Sequence, residues 1–157
     1  MQGQKTQINL SILKIIWGAL LGSQLMYGLA LNFLVGQNSN VTEEVNSYFL
    51  PLFSSMAIIL FFLAIFSQKY FLGIAKKQLL IKFGQVDLSR LNIEDLIASF
   101  IAPFVIRLAL FEAVALFGFS LSFLNKDIKY FIPFATVSIV AYLFNFPSEE
   151  KVRNAFK

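Results

Sequence analysis

The chain contains neither cysteine nor histidine. Those two absences exclude disulfide frameworks, thiolate nucleophiles, haem ligation by histidine and the usual zinc sites. Charge is also scarce: 14% of the 157 residues are Asp, Glu, Lys or Arg, where a soluble domain carries about 25%. No polar stretch is long enough to build a water-soluble domain, so a single membrane domain over 1–157 is expected. An enzyme is not expected, because one buried carboxylate without His or Cys lacks a second partner for acid–base chemistry. No cofactor, resident metal or nucleic-acid partner is implied, since the +4 net charge follows from lysines gathered on one side of a bilayer.

What fills the chain instead is apolar: 57% hydrophobic residues, 19 phenylalanines and a mean hydropathy of +0.70. Four apolar stretches stand out, 10–35, 49–66, 104–124 and 131–146. The first follows a positively charged start without a small-residue cleavage signal, which predicts a retained helix and not a signal peptide. Pro51 opens the second, a position where a helix tolerates proline. Between the first two lies a polar loop, 36–47, with Glu43, Glu44 and a glycosylation-type triplet at Asn40.

The stretch 68–92 is the basic connector. Lys69, Lys76, Lys77 and Lys82 alternate there with apolar residues, so it reads as an amphipathic basic helix, either a continuation of the second segment or an in-plane helix at anionic lipid headgroups, ending at Gly84. Asn92 then resembles an N-cap, and the acidic Glu94 and Asp95 suit the positive end of a new helix. Pro103 is expected to kink that helix, leaving 93–102 near the surface. The expected architecture is an all-α membrane protein. Four transmembrane helices form two repeated hairpins, 10–67 and 93–146, joined by the cytoplasmic connector and followed by a charged tail, 147–157. Eleven of the thirteen basic residues, all but Lys126 and Lys129, then fall on one side. Positive-inside places both termini in the cytoplasm, in what we read as a bacterial inner membrane.

A 90-residue shift superposes 16–34 on 106–124 with seven of nineteen positions identical, including Gly28 on Gly118. The second halves match more weakly, at Pro51 with Pro133. Two hairpins in the same order make a parallel repeat.

Glu112 is the candidate functional residue. It lies near the middle of the 22 residues from Pro103 to Leu124, which span about 33 Å as a helix, the thickness of the hydrocarbon layer. A charge there costs roughly 2.5–3.5 kcal/mol on insertion scales. The expected form is therefore a protonated, hydrogen-bonded acid, serving either as a packing tie or as an ion- or proton-binding group. Ala109 and Ala113 flank it, and Gly18 and Gly22 make a GxxxG spacing in the first segment, so close helix packing is expected through these small residues and through Gly28 and Gly118. Gln24, Gly28 and Asn32 recur every four residues, and Gln24, Asn32 and Arg107 are the possible polar partners. Arg107, however, lies about 140° round the helix from Glu112, so snorkelling or a bond to another helix is expected of it.

The run EAVALFGFSLSFL, with Glu112, Ala113, Ala115, Leu116, Phe117 and Gly118, resembles the carboxylate-bearing helix of the proteolipid c subunits of rotary ATPases. That resemblance covers about fifteen residues and implies a homo-oligomeric ring in which the glutamate carries an ion. The chain departs from the family in placing the carboxylate on the first helix of its hairpin, in lacking a glycine-repeat inner helix and in carrying the basic connector. Two functions are consistent with the sequence. One is a non-enzymatic protein that assembles as a homo-oligomer or within a larger membrane complex. The other is proton- or ion-coupled transport at Glu112.

Overall fold

The computed structural model describes residues 2–36, 48–84 and 91–157, with side chains from Leu10 onward in the first of these. The polar loop 37–47 and its glycosylation-type triplet lie outside the described residues. All described secondary structure is helical: α1 (Gln2–Gly36), α2 (Phe49–Phe83), α3 (Ile93–Asn125), a 3-10 turn (Ile128–Tyr130), α4 (Phe131–Phe144) and α5 (Glu149–Ala155). Three of these, α1 over Leu10–Val35, α2 and α3, are long and apolar enough to cross a membrane. The stretch from the 3-10 turn through α4 makes a fourth only when taken together with α5, from which it is bent by 86°. The protein therefore reads as integral to a membrane.

The basic connector continues the second segment, the first of the two forms expected of it. α2 runs unbroken for 35 residues through Lys69, Lys76, Lys77 and Lys82, about 52 Å of helix and well beyond a hydrocarbon core. Gly84 ends it at φ +79°, a left-handed value that glycine adopts without steric cost. Part of the apolar side of the basic stretch packs within the chain, while Tyr70, Ile74, Leu80 and Ile81 stay exposed. Ala75 and Leu79 are buried against Leu96, Ile97 and Phe100 of α3 and against Val152 and Phe156 from the chain's end. A small helical cap thus stands on the membrane-length part of the bundle. Two of the four lysines assigned to headgroups are engaged within the chain: Lys82 pairs with Asp95 at 3.7 Å, and Lys76 donates to the Lys157 backbone oxygen at 2.9 Å.

α3 is the central element, with thirteen buried residues spread over its length. It passes through Pro103 as one assigned helix. Asn92 stands at its N-cap position without a side-chain cap bond, and its carbonyl accepts instead from the Asp95 N–H at 3.1 Å. α3 ends at Lys126 in the left-handed conformation, where Asp127 N–H reaches back to the Ser122 carbonyl at 3.2 Å. That closes the last turn and reverses the chain.

α4 is the least like its expected counterpart. It has 14 residues against the 35 of α2, so the second hairpin is not built like the first. A helix that ends early among apolar side chains leaves carbonyls to satisfy. Here Trp17 Nε1 donates to the Tyr142 carbonyl at 2.9 Å, and Lys151 Nζ donates to the Phe144 and Phe146 carbonyls at 2.7 and 3.2 Å.

The glycines divide sharply by surroundings. A Cβ on Gly118 would sit 2.5 Å from Phe134 Cβ, and one on Gly28 would sit 3.5 Å from the Phe131 ring, so both face α4. Among the described residues, no other side chain or helix lies within 4 Å of a Cβ on Gly18 or Gly22. We predict that Gly118→Ala lowers stability by about 1–3 kcal/mol through overpacking. Gly18→Ala should leave the thermal midpoint of the detergent-solubilised protein unchanged or slightly raised, since alanine is the better helix former. Melting curves of the two variants check the contrast.

Candidate functional site

Glu112 is 7% exposed and sits where α1, α3 and α4 meet. Five side chains from these three helices form one hydrogen-bonded cluster. From α1, the Ser23 hydroxyl contacts Glu112 Oε1, and Gln24 Nε2 donates to Glu112 Oε2 at 3.2 Å. The second Gln24 proton goes to Ser138 Oγ of α4 at 2.7 Å. Ser138 and Tyr142 are four residues apart and so share a face of α4. Ser138 donates to the Phe111 carbonyl at 2.7 Å, and the Tyr142 hydroxyl reaches the Leu108 carbonyl at 2.9 Å and Glu112 Oε2 at 3.3 Å. α4 is thereby pinned to the α3 backbone at two carbonyls one turn apart.

Counting protons shows what this shell can do. The Ser23 hydroxyl also lies 2.6 Å from the Leu20 carbonyl on its own helix. Seven contacts thus share five protons, one from each of three hydroxyls and two from the Gln24 amide. If Glu112 is ionised, Ser23, Gln24 and Tyr142 all donate to the carboxylate. If it carries a proton, it donates to Ser23 Oγ, while Ser23 and Tyr142 turn to the Leu20 and Leu108 carbonyls. Hydroxyl rotation, together with the gain or loss of one proton at Glu112, interconverts the two patterns. Gln24 Oε1, buried without a donor among the described residues, adds spare acceptor capacity.

Of the expected partners, Gln24 is in the cluster. Arg107 is not: it donates to Gln68 Oε1 of α2 and lies over the Phe111 ring, 5.5 Å from its centroid. Its 140° offset from Glu112 aims it at a different helix, as its snorkelling-or-bonding expectation allowed. Asn32 is exposed, because eight residues of helix turn it about 80° away from the Gln24 direction. Ala109 is exposed and Ala113 half-buried, so the first of these makes no close helix contact within the chain. Ser23, Ser138, Tyr142 and Trp17 were not singled out from the sequence. The four-residue spacing of Ser138 and Tyr142 in an otherwise apolar segment was the available signal.

No group of three or more Asp or Glu side chains able to hold a metal ion occurs among the described residues. Comparison with known proteins finds no matching protein-family model, no matching curated protein and no matching solved structure.

Because Gln24 serves two acceptors on two helices, its loss should cost the most in this cluster. Gln24→Leu is expected to destabilise the bundle by about 1–2 kcal/mol, and Tyr142→Phe by about 0.5–1 kcal/mol, the range of buried hydrogen bonds in membrane helices. Denaturant titration in a fixed detergent gives both values. Equal stability of Gln24→Leu and the parent would remove the cluster from any structural account.

Proposed function

We propose that the chain is a non-enzymatic integral membrane protein that crosses the bilayer four times with both termini cytoplasmic. Its role is assembly, as a homo-oligomer or as a subunit of a larger membrane complex. The observation that carries this reading is the outer face of α1. Ile15, Gly18, Gly22, Leu25, Leu29 and Asn32 follow alternating steps of three and four, the spacing of a helix–helix seam. Ile15, Leu25 and Leu29 are 69%, 65% and 63% exposed, and the two glycines meet no neighbouring element among the described residues. Lipid gives helices no hydrophobic reason to associate, so small residues that admit a backbone, and a polar residue that bonds across, are what such seams use. Asn32 is a polar side chain exposed on that same line. Glu112 and its cluster then serve as the tie that holds α1 in the orientation presenting the seam. A ring of copies, as the proteolipid resemblance implies, is one form this assembly takes.

The second reading is proton binding at Glu112, favoured by the alternative acceptors open to Ser23 and Tyr142. The two readings part at one substitution. Glu112→Gln keeps assembly in both, but abolishes a pH-dependent activity in the second.

The natural lack of cysteine makes the seam directly testable. A single Leu25→Cys should give an oxidised dimer in native membranes, whereas Leu63→Cys, also exposed but on α2, should not. Gly22→Leu should shift the native mass of the purified particle towards the monomer. Cross-linking that is equal at both cysteines, together with a monomeric mass for the parent, would end the assembly reading.

A further inference from the structure

The geometry points to a phosphate-binding site at the basic end of the bundle, separate from the Glu112 cluster. A cavity of about 440 Å³ lies there between α2, α3, the end of α4 and α5, within the size range of small-molecule sites. Three cationic side chains line it, Lys69 of α2, Arg107 of α3 and Lys151 of α5, and no carboxylate does among the described residues. The ion pairs described in this part of the chain use other cations, Lys82 with Asp95 and Arg153 with Glu149. Like charges that converge on one space repel, and an anion between them removes that cost.

Arg107 gives the site its specificity. One terminal nitrogen is fixed by Gln68 and the guanidinium lies over Phe111, while Nε is buried with no acceptor among the described residues. A buried donor left unpaired is costly. With one terminal nitrogen taken by Gln68 and Nε closed off, the other terminal nitrogen is left to donate to a phosphate oxygen. Lys151 is likewise held in place by the α4 carbonyls, and Lys69 is exposed at the rim. Gln68 and Asn154 supply neutral polar groups, and Phe100 and Phe104 an apolar wall. The ligand is therefore a phosphate group, carried either by a phospholipid or by a free anion.

Native mass spectrometry of the full chain in detergent tests this with three probes, phosphatidylglycerol, phosphatidylcholine and inorganic phosphate. The expected result is retention of phosphatidylglycerol, weakened about tenfold by Arg107→Gln and several-fold by Lys69→Ala. Lys126→Gln, which alters an exposed lysine at the far end of α3 and outside the cavity, should change nothing. Displacement of the lipid by millimolar phosphate identifies a site open to the free anion, and failure to displace identifies a lipid headgroup site. Lys69→Ala alters only a rim side chain, so it keeps the test valid should Arg107→Gln unfold. Equal retention of the two lipids, or no effect of either cavity variant with no binding of phosphate, overturns the proposal.

Discussion

A carboxyl group buried between apolar helices must find its hydrogen bonds inside the protein. That constraint organises the bundle. Glu112 draws Ser23 and Gln24 from α1 and Tyr142 from α4, and Ser138 links the last two through Gln24. Each bond is worth little alone in a membrane, where the separated helices also find partners. Shared among three helices, they fix rotation and depth in a way that phenyl and leucyl contacts do not. The same economy appears at the end of α4, where Trp17 and Lys151 satisfy carbonyls that a short helix leaves open.

Packing in the rest of the structure is set by where side chains are missing. Gly118 lets α4 approach α3 until Phe134 occupies the space of a side chain, and Gly28 does the same, less tightly, for Phe131. Gly18 and Gly22, nearer the start of α1, meet nothing among the described residues. One set of glycines therefore closes the bundle while the other leaves a bare strip on its outside. The strip and the cluster lie on one helix and point different ways, so holding one face fixes the direction of the other.

Much of the fold was legible in the sequence. Apolar runs of spanning length, the glycine at the end of α2 and the acidic first turn of α3 all mark elements that the structure contains. The burial of Glu112 was legible too, since a lone charge in an apolar run has few explanations. Its partners were less so. Ser138 and Tyr142 lie far from Glu112 in the chain, and only the pairing of helices brings them together. The stripe of Gln24, Gly28 and Asn32 misled because a four-residue repeat drifts round a 3.6-residue helix. The bounds of α4 were legible, Phe131–Phe144 against an expected 131–146, but the tryptophan and lysine that satisfy its last carbonyls were not.

α2 meets α3 through aromatic rings over its membrane-length part, Phe53 on Phe117 and Phe61 on Phe111. Its described polar ties, Gln68 to Arg107 and Lys82 to Asp95, all lie in the basic half. Beside the aromatic half an apolar groove of about 570 Å³ separates it from α4. Mechanically, α2 is a cantilever: clamped at the basic end by charge and hydrogen bonds, and held along the rest of its beam only by contacts that resist separation more than sliding. Its compliance is concentrated at the tip farthest from the clamp, beside the groove.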